Sequence, residues 1–129
     1  MAGKSIRTPL SSVRGLGSAK EGAGHFIKQR VTAIALIVLV PLSLLTLMCA
    51  IQGGYEGAVD YVSNPLVAIL FLLTTGAAFY HMRLGMQVVI EDYIAKHTTR
   101  AVLLMLNTFV SIALFAAAAY SIVRIGLGA

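Results

Sequence analysis

Ser63-Asn64-Pro65-Leu66-Val67-Ala68-Ile69-Leu70-Phe71-Leu72-Leu73-Thr74-Thr75-Gly76-Ala77-Ala78-Phe79-Tyr80-His81-Met82-Arg83-Leu84-Gly85-Met86-Gln87-Val88-Val89-Ile90-Glu91-Asp92-Tyr93 is the stretch on which the fold turns. It opens as a helix does, with a capping side chain followed by proline in the first turn. It then runs nearly thirty residues to Tyr93. About 20 residues suffice to cross a hydrocarbon core of ~30 Å at ~1.5 Å per residue. A helix this long must tilt or project past the bilayer. Inside it sit His81 and Arg83, and at its end Glu91, Asp92 and Tyr93. An ionisable side chain within a membrane helix is costly, so its presence is a statement about function.

Two more apolar blocks flank this one. The first covers about 31–51, with Pro41 near its middle, where a bend is expected and neighbouring helices can satisfy the freed carbonyl. Gln52-Gly53-Gly54-Tyr55-Glu56 ends it, and a short loop to Asn64 carries Glu56 and Asp60 but no Lys or Arg. The central span covers about 65–92. A charged turn from Glu91 to Arg100, with Lys96 and His97, leads to a third span at about 101–123, followed by Arg124 and a glycine-rich tail.

The whole composition agrees. Of 129 residues, 58% are hydrophobic and 12% charged, against about a quarter charged in soluble domains. The fold class is an all-α membrane protein of three transmembrane helices, one bundle rather than several domains. Cys49 is the single cysteine, so no intrachain disulfide and no iron–sulfur cluster can be built. Trp is absent, leaving Tyr55, Tyr61, Tyr80, Tyr93 and Tyr120 as interfacial anchors.

The net charge of +5 belongs to topology, with membrane lipid rather than nucleic acid as the partner. Residues 1–28 form a basic arm in which Lys4, Arg7, Arg14, Lys20 and Lys28 face only Glu21. The arm has no apolar signal core, and Lys4-Ser5-Ile6-Arg7-Thr8-Pro9-Leu10 lacks the amphipathicity of a mitochondrial transit sequence. A cytoplasmic arm near anionic headgroups is expected, with residues 29–129 as the membrane domain. Counting Arg30, the arm and the turn after the second span hold eight of the ten basic residues. The positive-inside rule therefore puts the N-terminus in the cytoplasm and the C-terminus in the periplasm.

His81, Gly85, Val88 and Asp92 fall on one face of the central helix, and Thr74, Ala77 and Ala78 extend it backward. His81 lies ~18 Å of helix rise from Tyr93, well below the cytoplasmic headgroups. It can serve as interhelical glue, as part of a proton relay with Arg83 and Asp92, or as an axial ligand of haem iron. In the last case Gly85, one turn away, would let a porphyrin approach the backbone. His25 and His97 lie at the cytoplasmic edge, so a second axial ligand would have to come from another polypeptide. Arg30 is either a snorkelling anchor or the partner of a haem propionate. Tyr93 is either a belt residue or a donor to a quinone carbonyl, with Asp92 beside it. Arg83 has no assigned role. Asn107 and Ser111 predict an interhelical hydrogen bond.

Three local matches give the chain a family resemblance. They are Arg30-Val31-Thr32-Ala33-Ile34 at the start of the first span, His81 followed by Gly85-Met86, and Asp92-Tyr93. With three spans and a basic arm, they make the chain resemble the hydrophobic membrane anchor subunit of succinate dehydrogenase, respiratory complex II, from about Gly24 onward. The resemblance implies packing with a second three-helix subunit, the cytochrome b556 anchor subunit, and docking of iron–sulfur and flavoprotein subunits. It implies His81 as axial ligand of a shared haem b, Arg30 at a propionate, Gly85 against the haem, and Tyr93 with Asp92 at the ubiquinone site. The chain would be a non-catalytic part of the enzyme, in a bacterial inner membrane or, alternatively, a mitochondrial one. A fumarate reductase anchor is the related alternative; a small proton or ion transporter using His81, Arg83 and Asp92 is the unrelated one.

Overall fold

The computed structural model describes Thr8, Leu10 and residues 21–128, so most of the basic arm lies outside the described residues. The described chain is helical: α1 (Glu21–Ile51), α2 (Gly54–Val62), α3 (Pro65–Tyr93) and α4 (His97–Gly126). Three of these, α1, α3 and α4, are long and apolar enough to cross a membrane. No strand occurs among the described residues. Helix satisfies its own backbone polar groups, which is the requirement lipid imposes.

Helix boundaries extend past the apolar spans because apolarity ends before helix propensity does. α1 begins at Glu21 rather than near residue 31. Nothing between them breaks a helix, and the Arg30 guanidinium lies 5.1 Å above the Phe26 ring one turn back. The loop expected over 52–64 contains the short helix α2. Gly54, at φ +68°, turns the chain, and a side chain there would be strained. The next breaker is Ser63-Asn64-Pro65, where Asn64 Oδ1 accepts from Leu66 N at 2.9 Å and Pro65 opens α3, as the capping signature predicts. The turn before α4 shrinks to Ile94, Ala95 and Lys96. Arg100 pins it by donating from Nε to the Ile94 carbonyl at 2.9 Å.

α3 is the central helix. It packs against α1 and α4, whose backbones make no close approach to each other among the described residues, while α2 reaches all three. The α1–α3 seam is antiparallel: Thr32 meets His81, and further along α1, Ser43 meets Thr74 further back on α3. Thr74 donates to its own Leu70 carbonyl at 2.7 Å, so Ser43 supplies the proton of the 2.6 Å bond between the two hydroxyls. On the other side, Arg83 meets Thr108 and Asn107, and Gly76 opens a place for Phe115. The buried set is small: Ser43, Ala50, Ala68, Leu84, Ile90 and Ser111. Most large apolar side chains, and Cys49, point outward, as they can where the surroundings are as apolar as they are.

Two consequences can be measured. Thr74→Val removes the acceptor for Ser43 and should lower stability in detergent unfolding by ~0.6 kcal/mol, and by no more than ~1.7, the range for hydrogen bonds between membrane helices. Gly54→Ala forces a Cβ into the left-handed region and should lower it by ~1–2 kcal/mol, whereas Gly22→Ala, with open space around its Cβ, should not.

Candidate functional site

The face that carries His81 is the face that packs on α1. His81 Nδ1 lies 2.9 Å from Thr32 Oγ1, and both side chains are half-buried. Thr32 Oγ1 also lies 2.9 Å from the Lys28 carbonyl and 3.0 Å from that of Gln29. His81 Nε2 makes no hydrogen bond among the described residues. One ring nitrogen is thus held and the other is left over.

One turn on, Gly85 faces α1 as well. A Cβ there would stand 3.6 Å from Gln29 Nε2, an ordinary contact. Beyond Gly85, towards the end of α3, a cleft of about 380 Å³ separates the two helices, with His25 and Gln29 on one wall and Val88, Gln87 and Glu91 on the other. Gln87 Nε2 donates to Glu91 Oε1 at 2.8 Å, whereas His25 Nε2 and Gln29 Oε1 are buried without a partner.

Asp92 and Tyr93 end α3 as exposed side chains, Tyr93 at 82%. Its phenol is accessible to anything docking at this membrane edge. Arg30 is also exposed, stacked over Phe26, with no carboxylate partner among the described residues. The five residues with expected roles therefore fall into two levels. His81 and Gly85 line the α1–α3 seam, and Asp92 and Tyr93 stand at its end. Arg30 flanks the seam on α1. The chain by itself does not gather them into one enclosed pocket.

Arg83 faces elsewhere. Its Nε donates to Thr108 Oγ1 at 3.1 Å, and its carbonyl accepts from Asn107 Nδ2 at 2.9 Å. Asn107 does bridge helices as the sequence predicts, but Ser111 donates to the Asn107 carbonyl of its own helix at 2.7 Å. Pairing of Arg83 with Asp92 is absent among the described residues. His81 turns to α1 and Arg83 to α4, so the two do not form a continuous relay.

Three residues of this site escape the reading of α3 alone: Thr32, Gln29 and His25. His25 and Gln29, with Gly22, recur at helical spacing, a polar stripe that the sequence displays once α1 is known to begin at Glu21. Thr32 is legible only as a motif residue. Its contact with His81 spans 49 positions.

Chemically, the arrangement offers an imidazole whose ring plane is fixed through Nδ1, with Nε2 turned to no partner among the described residues. A metal-ligating histidine characteristically engages its other nitrogen in this way. Among the described residues no three His, Cys, Asp or Glu side chains converge, so what the described chain offers here is a single donor rather than a cage. That donor set fits one side of a haem iron.

Residues 4–118 match the family described as succinate dehydrogenase/fumarate reductase transmembrane subunit. The chain is 35% identical over 122 residues to the succinate dehydrogenase hydrophobic membrane anchor subunit of Paracoccus denitrificans, covering 95% of this chain and 94% of the relative. It is 36% identical over 101 residues to the subunit so named in Rickettsia bellii, covering 78% and 80%. The corresponding Rickettsia conorii protein is 33% identical over 102 residues, covering 78% and 81%. No solved structure matches the chain. Matched along most of its length and folded around three membrane-length helices, the chain belongs to the succinate dehydrogenase/fumarate reductase transmembrane subunit family, as a membrane anchor and not a catalytic head.

Proposed function

We propose that this chain anchors a succinate:quinone oxidoreductase in a bacterial inner membrane, provides one axial ligand of a haem b and forms part of the ubiquinone site. The observation that carries the reading is His81, held at Nδ1 by Thr32 with Nε2 left over. When bound, haem b would supply a one-electron store between the iron–sulfur subunit and quinone. His81 holds one side of the iron, and Arg30, exposed and without a carboxylate partner, is available to a propionate. Gly85 keeps the backbone bare one turn from the ligand. The second axial ligand comes from the cytochrome b556 anchor subunit, because His25 and His97 lie near the cytoplasmic ends of α1 and α4.

The distribution of Lys and Arg supports a cytoplasmic N-terminus and a periplasmic C-terminus. Residues 1–28 are then a basic cytoplasmic arm and residues 29–129 the membrane domain. This places Tyr93 and Asp92 at the cytoplasmic face, where the iron–sulfur and flavoprotein subunits would dock. Tyr93 donates a hydrogen bond from its phenol to a quinone carbonyl, and Asp92, the residue before it, tunes the site or passes protons towards the quinone. Succinate oxidation takes place on the flavoprotein subunit, and this chain serves as its membrane anchor. The relatives' names favour succinate dehydrogenase over fumarate reductase.

His81→Ala should abolish the reduced-minus-oxidised b-type spectrum of the purified complex; an undiminished spectrum would remove His81 from the iron. Tyr93→Phe should slow succinate-driven quinone reduction by about tenfold, the equivalent of one hydrogen bond of ~1.4 kcal/mol, and leave succinate reduction of a soluble dye intact. Equal loss of both activities would argue against Tyr93 at the quinone.

A further inference from the structure

The hydroxyl of Thr32 has one proton and three polar neighbours. The Lys28 carbonyl is at 2.9 Å, the Gln29 carbonyl at 3.0 Å and His81 Nδ1 at 2.9 Å. Carbonyl oxygens can only accept, so the proton must lie between the threonine oxygen and those carbonyls. Were it directed at His81 instead, the threonine oxygen would face two carbonyl oxygens at these distances with no proton between them. The remaining contact then needs a proton from the imidazole. Rotating the ring by half a turn would put a carbon where Nδ1 stands and lose the bond. Accounting for protons therefore makes Nδ1–H the donor to Thr32 Oγ1, and a ring that carries this single proton has its lone pair on Nε2.

We propose that Thr32 is the positioning residue for His81, fixing both its ring plane and its Nδ1–H tautomer so that Nε2 presents a lone pair to haem iron. This rests on the haem reading above and adds a residue on a different helix, 49 positions away. The connection runs from α1 backbone carbonyls through the threonine hydroxyl to the imidazole. Carbonyls polarise the hydroxyl, the hydroxyl oxygen accepts from Nδ1–H, and the ring becomes a more basic ligand. A more basic ligand favours the ferric over the ferrous state and lowers the reduction potential. The same bond ties α1 to α3 at the depth of His81, so the ligand's position and the helix seam are set together.

The test uses the assembled, haem-loaded complex and reads the haem rather than turnover. Thr32→Val keeps the shape and removes the hydroxyl. It should raise the haem midpoint potential, shift the g-values of the ferric low-spin signal and lower haem retention by roughly 10-fold, as loss of an outer-shell partner typically does. Thr32→Ser should restore all three. Thr32→Cys, whose sulfur is a weak acceptor, should fall between Ser and Val; this graded pair keeps the test decisive should Val prevent assembly. Potentials and g-values that ignore the order Ser, Cys, Val would overturn the assignment. His81→Ala runs alongside: a haem spectrum that survives it rejects axial ligation itself, whereas a spectrum lost there but unmoved by every Thr32 variant rejects only the role of Thr32.

Discussion

Lipid gives transmembrane helices no hydrophobic reason to associate, since acyl chains are as apolar as leucine. Close packing of small residues and hydrogen bonds between helices must hold them instead. Here both occur on the face of α3 that meets α1. Thr74 bonds Ser43, Gly85 lies against Gln29, and His81 bonds Thr32. The histidine is part of the seam that makes the bundle, and the seam decides which of its nitrogens is left over. Structure and candidate chemistry depend on the same few contacts, so the bland role of His81 as interhelical glue and the sharp one as ligand are compatible. One ring nitrogen serves each.

The arrangement around α3 gives Arg83, which the sequence leaves without a role, a partner on α4. A guanidinium at this depth is expensive unless its protons find acceptors. It faces α4, where Thr108 accepts from Nε, and Asn107 ties the same turn of backbone to α4. Arg83 and His81 thus stabilise opposite seams of the central helix. Because the backbones of α1 and α4 approach α3 but not each other among the described residues, the three long helices form a row with α3 in the middle. A row presents broad apolar faces on both sides, and the family to which the chain belongs consists of subunits that serve as membrane anchors.

The sequence was most legible where a single physical rule dominates. Apolar length specified three spans, and Asn64 followed by Pro65 specified the start of α3. Legibility failed at helix ends, for a definite reason: hydropathy reports where lipid ends, not where backbone hydrogen bonding ends. Glu21 to Arg30 are too polar for a hydrocarbon core yet contain nothing that stops a helix, so α1 runs through them. Between Gly54 and Ser63 the residues lack apolar length but also lack a breaker, so α2 forms there. Ser111 shows the corresponding limit for side chains. Its spacing from Asn107 fits either an interhelical bond or a bond to the carbonyl one turn back, and the second is what forms.

Periodicity alone therefore determined that His81, Gly85, Val88 and Asp92 share a face, and the distribution of Lys and Arg supports the proposed orientation. These follow from local rules, helical pitch and the cost of moving charge across a membrane, that need no knowledge of neighbours. What lies opposite that face was decided only by tertiary structure. In a linear reading threonine 32 is one residue of a motif and histidine 81 an ionisable side chain on a distant helix, with nothing to join them. They become one hydrogen-bonded unit because α1 and α3 run antiparallel in a register that no local rule encodes. The proposed role of Thr32 depends on that register: its one proton has two carbonyls within reach, and the contact with His81 exists only because the two helices bring these residues together.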